Sequence, residues 1–423
     1  MTATLRLRMD APGSTSRYGG HGTAITVRQV ADLDGQYPED PFETAVIAGN
    51  ETIGVPVRPG RYRLEARLPG GNILRETVLV GRDKSEYVTF DAPPSAREWL
   101  SWQTLSGNVA PRDAYHERQS DWRGYNTLDL REQFLDWQYP RVRFMTAECS
   151  MSGIDQRYPF FADERNESDG LVSLWRVNFR REPLWQPFRA VALLDLEQRH
   201  AAEYIRFVAF LPVPWNSDYG DDAELELLLD PTRGAGRELR VSVVDEKRSA
   251  LLSYLGTSQM REAAVAFDAY GLTEQIQFDM EAKRRNPLAA AAAAYVGLSF
   301  PVGDERRETW SPWLRNLMNW FPEIPDGAIL AARDMMDRAR TRDDLRDALS
   351  AFREAYRRGP PYFSAGVRLL LEGLTLFLHH SRDYGISRDT IRRMHREVSN
   401  LALMTDPTQA FTVLKVNRRF FDV

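Results

Sequence analysis

From Arg61 to Leu68, the apolar positions Tyr62, Leu64, Ala66 and Leu68 alternate with Arg61, Arg63, Glu65 and Arg67. Alternation with a period of two places the apolar set on one face of a half-buried strand. Pro69-Gly70-Gly71-Asn72 supplies turn residues, and Ile73 to Val80 predicts the returning strand of a hairpin. Pro59-Gly60 marks the turn before it, and Tyr87 to Phe90 predicts a further short strand. Strands of this length at this spacing predict an antiparallel β-sandwich over residues 1–92.

A boundary is expected at Ala92-Pro93-Pro94-Ser95. No tryptophan precedes it, whereas Trp99, Trp102, Trp122, Trp137, Trp175, Trp185 and Trp215 follow. Residues 95–246 predict a β-rich middle domain, with strands over Leu171–Phe179, Arg189–Leu196, Tyr204–Leu211 and Leu239–Val244. The nearly continuous apolar run Ile205–Leu211 predicts a strand covered on both faces. Acidic residues gather in Asp218–Asp230 beside Pro214 and Gly220, which predicts a loop or a sheet edge there.

Beyond Glu246 the period becomes helical, so residues 247–423 are expected to form an α-helical, repeat-like domain of stacked hairpins. Asn286-Pro287 pairs a capping side chain with a proline suited to the first helical position, and Ser311-Pro312 repeats the device. Thr341 and Asp344 have capping-box spacing. Leu345, Leu349, Phe352 and Tyr356 follow as a stripe, and Gly359-Pro360-Pro361 stops that helix. Another helix is expected from Ser364 to His380. A last one carries Ile391, Met394, Val398 and Leu401 at spacings of three and four. The fold class is therefore α+β and multidomain.

Composition narrows the function. The 60 acidic and 55 basic side chains leave a net charge of −5, which argues against broad phosphate-backbone binding and hence against nucleic acid as a partner. The longest apolar run, Leu288–Val296, is nine residues and mostly alanine. A bilayer needs about 20, so no membrane span is expected. Met1–Asp10 alternates leucine with arginine and has no apolar block of signal-peptide length, which leaves a cytoplasmic location as the expectation. The one cysteine excludes an intramolecular disulfide and a cysteine-rich zinc site.

Catalytic chemistry finds little support. Cys149 is the one thiol, and catalysis would require a histidine to generate its thiolate. His21, His116, His200, His379, His380 and His395 stand in no recognisable dyad context, and Glu148 would raise a thiol pKa. Ser152-Gly153 supplies only the tail of a nucleophile elbow. Neither a P-loop nor a three-glycine dinucleotide fingerprint occurs, and Gly234-Ala235-Gly236 reads as a turn. His379 and His380 are adjacent and would point about 100° apart on a helix, so they do not share a metal ion easily. No cofactor, metal or catalytic residue is expected.

Two clusters suit a protein partner. Trp310, Trp313, Leu314, Leu317, Trp320 and Phe321 lie at helical spacings that mainly mark a core stripe, but tryptophan also anchors interfaces, so Trp310 and Trp313 are candidates. The second cluster is basic. From His379 to the end there are eight basic against five acidic residues. Arg388, Arg392 and Arg396 recur every four residues and share one helix face, with Arg393 about 100° around from Arg392. A solvated face is the simpler reading, and a docking surface for an acidic segment the sharper one. Arg382, Lys415, Arg418 and Arg419 extend the basic character.

Glu238–Val244, Ser249–Leu255, Lys283–Ala290, Tyr295, Trp313–Leu317, Trp320–Ala328 and Gly359–Phe363, running on to Leu374, follow one another in a pattern. Over residues 240–375 it resembles the C-terminal helical module of bacterial proteins associated with caspase-like peptidases. In such proteins the module accompanies a peptidase domain, and no peptidase-sized region with a His and Cys pair precedes it here. The resemblance implies a non-enzymatic partner, substrate or regulator of a caspase-like peptidase in an antiviral, defence-type system. Two alternatives remain open, a proteolysis-activated effector and a cryptic cysteine hydrolase built on Cys149.

Overall fold

Leu5, Leu7 and Met9 are buried while Arg6 and Arg8 between them are exposed, so the first strand already shows how the N-terminal sheets bury one face. The computed structural model describes residues 3–10, 23–39, 41, 43–48, 52–68, 73–91, 141–159, 162–168, 173–179, 188–197, 204–216, 223–229, 238–245, 248, 251–252, 255–256, 273–300, 303–379 and 387–417. The expected boundary at 92–95, the Gly19–Gly22 loop and the Gly234–Gly236 turn lie outside them, as do Trp99, Trp102, Trp122, Trp137 and Trp185. Two compact units make up the chain: Met1–Tyr125 with Glu246–Glu274, and Asn126–Asp245 with Gln275–Val423.

The first unit contains β1 (Ala3–Asp10), β2 (Thr23–Ala31), β3 (Glu43–Ala48), β4 (Ile53–Val57), β5 (Gly60–Arg67), β6 (Ile73–Val80) and β7 (Ser85–Asp91). They form a sandwich of two sheets, ordered β4-β1-β7 and β3-β2-β5-β6. All pairings are antiparallel except β1 with β7, which is parallel. One core joins the sheets: Leu5, Leu7, Ile25, Val27, Tyr62 and Leu64 are each 0% exposed. The alternation expected in β5 holds residue by residue, with Tyr62, Leu64, Ala66 and Leu68 all buried. Tyr62 keeps its hydroxyl satisfied by donating to the Arg58 carbonyl at 2.7 Å.

The second unit contains β8 (Arg141–Ser150), β9 (Gly153–Pro159), β10 (Ala162–Ser168), β11 (Ser173–Phe179), β12 (Phe188–Glu197), β13 (Tyr204–Phe210), β14 (Leu225–Leu229) and β15 (Leu239–Val243). A sheet ordered β10-β11-β14-β15 carries a correction to the sequence reading. Residues 225–229, expected in an acidic loop or edge, form an interior strand buried at all five positions. Glu226 is 0% exposed there because Arg176 sits opposite it on β11 and donates to its carboxylate at 3.1 Å. A buried carboxylate is tolerated only with such a partner.

Among the described residues seven helices span 273–404: α1 (Thr273–Glu281), α2 (Pro287–Gly297), α3 (Glu305–Trp320), α4 (Pro325–Arg338), α5 (Arg342–Arg358), α6 (Ser364–His379) and α7 (Arg388–Met404). Asn286 caps α2 as its sequence predicts, accepting from the Ala289 N–H at 3.0 Å. Every residue of α2 is buried, which its alanine-rich composition permits. The Ser311-Pro312 expectation is corrected. Asp304 begins α3 instead, accepting from the Arg306 N–H at 2.9 Å, and Pro312 lies inside the helix. Ser311 Oγ donates to Asp334 of α4 at 2.5 Å, so its side chain serves the helix packing rather than a cap. The capping box of α5 forms in both directions: the Asp344 N–H reaches Thr341 Oγ1 at 3.2 Å, and the Thr341 N–H reaches Asp344 Oδ2 at 2.9 Å.

The chain then returns to the β region. β16 (Val413–Asn417) pairs antiparallel with β13, completing a five-stranded sheet ordered β16-β13-β12-β8-β9. In that setting Phe207, Val208 and Ala209 are each 0% exposed, as expected of a strand covered on both faces.

Candidate interaction surfaces

A buried polar node fixes the helices that present the surfaces. Asp326, in the first turn of α4, is 0% exposed and accepts three hydrogen bonds. Tyr295 Oη of α2 donates at 2.7 Å, the Tyr362 N–H at 2.8 Å and the Phe363 N–H at 3.2 Å. Burial raises the Asp326 pKa above the usual carboxylate value, although these bonds pull the other way. Burial raises that of Tyr295 as well, with the Asp326 charge adding to it.

The Gly359–Ser364 joint is stitched on both sides. Arg189 of β12, 3% exposed, donates to the Arg358 and Pro360 carbonyls and stands 5.3 Å from the Tyr362 ring centroid. On the other side the Thr412 N–H donates to the Tyr362 carbonyl at 2.8 Å, and the Ser364 N–H to Ala410 at 3.0 Å. Pro360 and Pro361 bring no N–H of their own; the N–H groups of Tyr362, Phe363 and Ser364 go to partners distant in sequence, while that of Gly359 turns back to the Tyr356 carbonyl.

At the end of α5, Glu354 accepts from Arg357 at 2.7 Å and from Arg358 at 2.9 Å. The Arg357 hydrogen bond, assisted by Arg358, holds the Glu354 carboxyl at about 2 against an ordinary 4.5. A depressed carboxylate pKa contributes stability that is complete above the unfolded value and is lost as pH falls through the folded one. Between pH 4.5 and about 2, wild-type stability is therefore expected to fall more steeply than that of Glu354→Gln. Urea midpoints across that window check it, and parallel profiles would show the pair to be without effect.

The arginine row lies where the spacing placed it. Ile391, Met394, Val398 and Leu401 of α7 are buried, and Arg388, Arg392, Arg393 and Arg396 are exposed. Arg392 has a loose ion pair with Asp389 at 3.7 Å. On the α5 side of the helix, Glu397 accepts from Tyr356 Oη at 2.5 Å. With burial as the larger cause, this pushes the Tyr356 pKa up to about 12. The tail differs from the basic surface expected of it: Lys415 lies on β16, donates to Glu238 at 2.8 Å and sits 5.8 Å from the Phe207 ring centroid. Arg382, Arg418 and Arg419 lie outside the described residues.

The tryptophans divide. Trp310 is 3% exposed and packs edge-on against Phe300, with ring centroids 5.6 Å apart, so it fills the core. Trp313 is half-buried, and the Lys283 ammonium lies 5.5 Å from its ring and 5.4 Å from that of Trp320. Arg284 covers Trp320 at 4.7 Å, and Trp320 remains 45% exposed. Burial is the main cause that lowers the Lys283 pKa, with the Arg284 charge second. This cation–aromatic cluster joins residues about 30 positions apart, which no linear motif announces.

Cys149 is half-buried near the end of β8 and its thiol points at the Ala147 carbonyl, 3.6 Å away. His395 of α7 is engaged by Thr375 Oγ1 at 3.0 Å and Ser399 Oγ at 3.4 Å. His379 ends α6, while His21, His116, His200 and His380 lie outside the described residues. Among the described residues no group of three His, Cys, Asp or Glu side chains is arranged to hold a metal ion, and no helix is long and apolar enough to cross a membrane.

No curated protein and no solved structure matches the chain. Residues 250–420 match the family model described as the Y4kD C-terminal domain, so the C-terminal part of the chain carries a module similar to that family.

Proposed function

We propose that this chain is a non-enzymatic interaction component whose C-terminal helices dock a protein partner through the exposed arginine row of α7. The supporting observation is the division of that helix. Its apolar stripe is spent on the core, while Arg388, Arg392 and Arg396 stand in solvent on one face with, among the described residues, a single loose internal ion pair. An arginine row free to form bidentate pairs suits an acidic partner segment. The pattern resemblance over residues 240–375 names a caspase-like peptidase of a defence-type system as the partner class.

The test is titration calorimetry of wild type and of an Arg388→Glu, Arg392→Glu, Arg396→Glu variant against a purified caspase-like peptidase of the same organism. Folding should be spared, because all three side chains are exposed. Wild-type affinity should fall as salt rises, since exposed charges are screened within about 8 Å at physiological ionic strength. The variant should lose the association. Unchanged affinity in the variant would return α7 to a merely solvated face, and no wild-type binding would remove the peptidase as partner.

A further inference from the structure

Helix α4 lies between α3 and α5, and the three frame a groove of about 620 Å³. Arg315, Met318 and Asn319 of α3 line one wall, at the three- and four-residue spacing of a single helix face. Asp347, Ser350 and Glu354 of α5 line the other, and Met335 of α4, the helix between them, lines the groove as well. Four arginines face three carboxylates here, in a chain whose net charge is −5.

Most of those charges are already committed. Arg338 donates to Asp334 at 3.0 Å and to Glu308 at 2.5 Å. Arg358 is held by Glu354 and the carbonyls of Phe321 and Ile324. Asp344 closes the capping box of α5, where the Arg340 and Thr341 N–H groups keep its carboxyl below the usual range. Arg315 and Arg340 are exposed, and among the described residues neither guanidinium makes an ion pair or hydrogen bond; Asp347 is likewise exposed and unpaired. The uncommitted charge is therefore two cations against one anion, alongside two methionines whose thioethers adapt to many aliphatic shapes.

We infer that this groove is a second binding site, distinct from the α7 row, for an extended acidic peptide segment of a partner protein. Its carboxylates would meet Arg315 and Arg340, and an aliphatic side chain between them would rest on Met318 and Met335. The volume lies in the range of formed ligand sites, and a trough across stacked helices is the surface that repeat-like helical domains use for peptides.

Fluorescence anisotropy of the full chain with a fluorescein-labelled Glu-Glu-Leu-Glu-Glu peptide tests the site, with Lys-Lys-Leu-Lys-Lys as control. The acidic peptide should bind, and affinity should drop at least about tenfold in Arg315→Glu/Arg340→Glu, because two favourable exposed pairs become repulsive. Arg315→Gln, which removes one charge without adding another, should give an intermediate loss and covers the case of a double variant that does not fold. The α7 triple variant should bind this peptide as wild type does. The inference is overturned by no binding of the acidic peptide, by equal binding of the basic one, or by a loss confined to the α7 variant. That last outcome would assign the peptide to α7 and leave the docking proposal for α7 standing.

Discussion

Asp326→Ala is expected to cost about 3–5 kcal/mol of stability, the range for breaking a buried, hydrogen-bonded charged group. The truncation leaves the Tyr295 hydroxyl and the Tyr362 and Phe363 N–H groups facing a cavity, because Asp326 is their common acceptor and is 0% exposed. Those donors come from α2 and from the α5–α6 joint, so the loss loosens three parts of the helical layer together. Asp326→Asn keeps the shape and one acceptor oxygen, enough for the Tyr295 hydroxyl and the Phe363 N–H. It sets its NH2 against the Tyr362 N–H, so it should cost less than alanine while still losing one bond. Both variants also separate from wild type by pH, since neither carries the carboxyl. The folded-state pKa of Asp326 is raised, so its contribution is present below the unfolded value of 3.8 and is lost as pH rises through the folded value. Relative to wild type, Asp326→Asn should therefore gain as pH rises through that region. Urea midpoints of the three proteins decide it, and an alanine variant within about 1 kcal/mol of wild type would show that the node is not a structural centre.

What the sequence made legible follows physical range. The β5 alternation, the Thr341–Asp344 capping box and the α7 stripe depend on residues within a few positions of each other, and each forms as its local pattern requires. The arginine row belongs with them, since a buried stripe on a helix dictates which side chains remain outside. The interior strand β14 was illegible because its carboxylate, Glu226, is matched by Arg176 from 50 residues earlier. Composition alone makes such a segment read as solvated. Pro312 misled in the opposite way: a local cap signal was overridden by the Asp304 cap and by the bond from Ser311 to Asp334. β16 needs β13 as its template, some 200 residues away. The groove was hidden for the same reason, since Arg315, Arg340 and Asp347 belong to no common motif until α3, α4 and α5 pack.

Gly359→Ala is expected to be at least as damaging as the loss of Asp326, and a second glycine isolates the reason. Gly359 ends α5 at φ 90°, a backbone conformation that favours glycine. A Cβ there would be driven into the Cys149 carbonyl oxygen of β8. Arg189 holds the carbonyls on both sides of this residue, those of Arg358 and Pro360. The chain therefore has two ways to accept alanine, and each breaks a contact between the joint and the sheet. Either β8 moves away from the joint, or φ relaxes to negative values and swings the two carbonyls off a buried guanidinium. Gly303 has a similar φ of 95°, but a Cβ there meets nothing within 4 Å. Gly303→Ala should then report backbone strain alone, about 1 kcal/mol, while Gly359→Ala should lose more than about 3 kcal/mol through strain, overlap and an uncompensated buried charge. Thermal and urea unfolding of both variants measure the difference. Equal losses would mean that β8 yields to the added methyl group, and that the Arg189 tie does not hold the helices to the sheet.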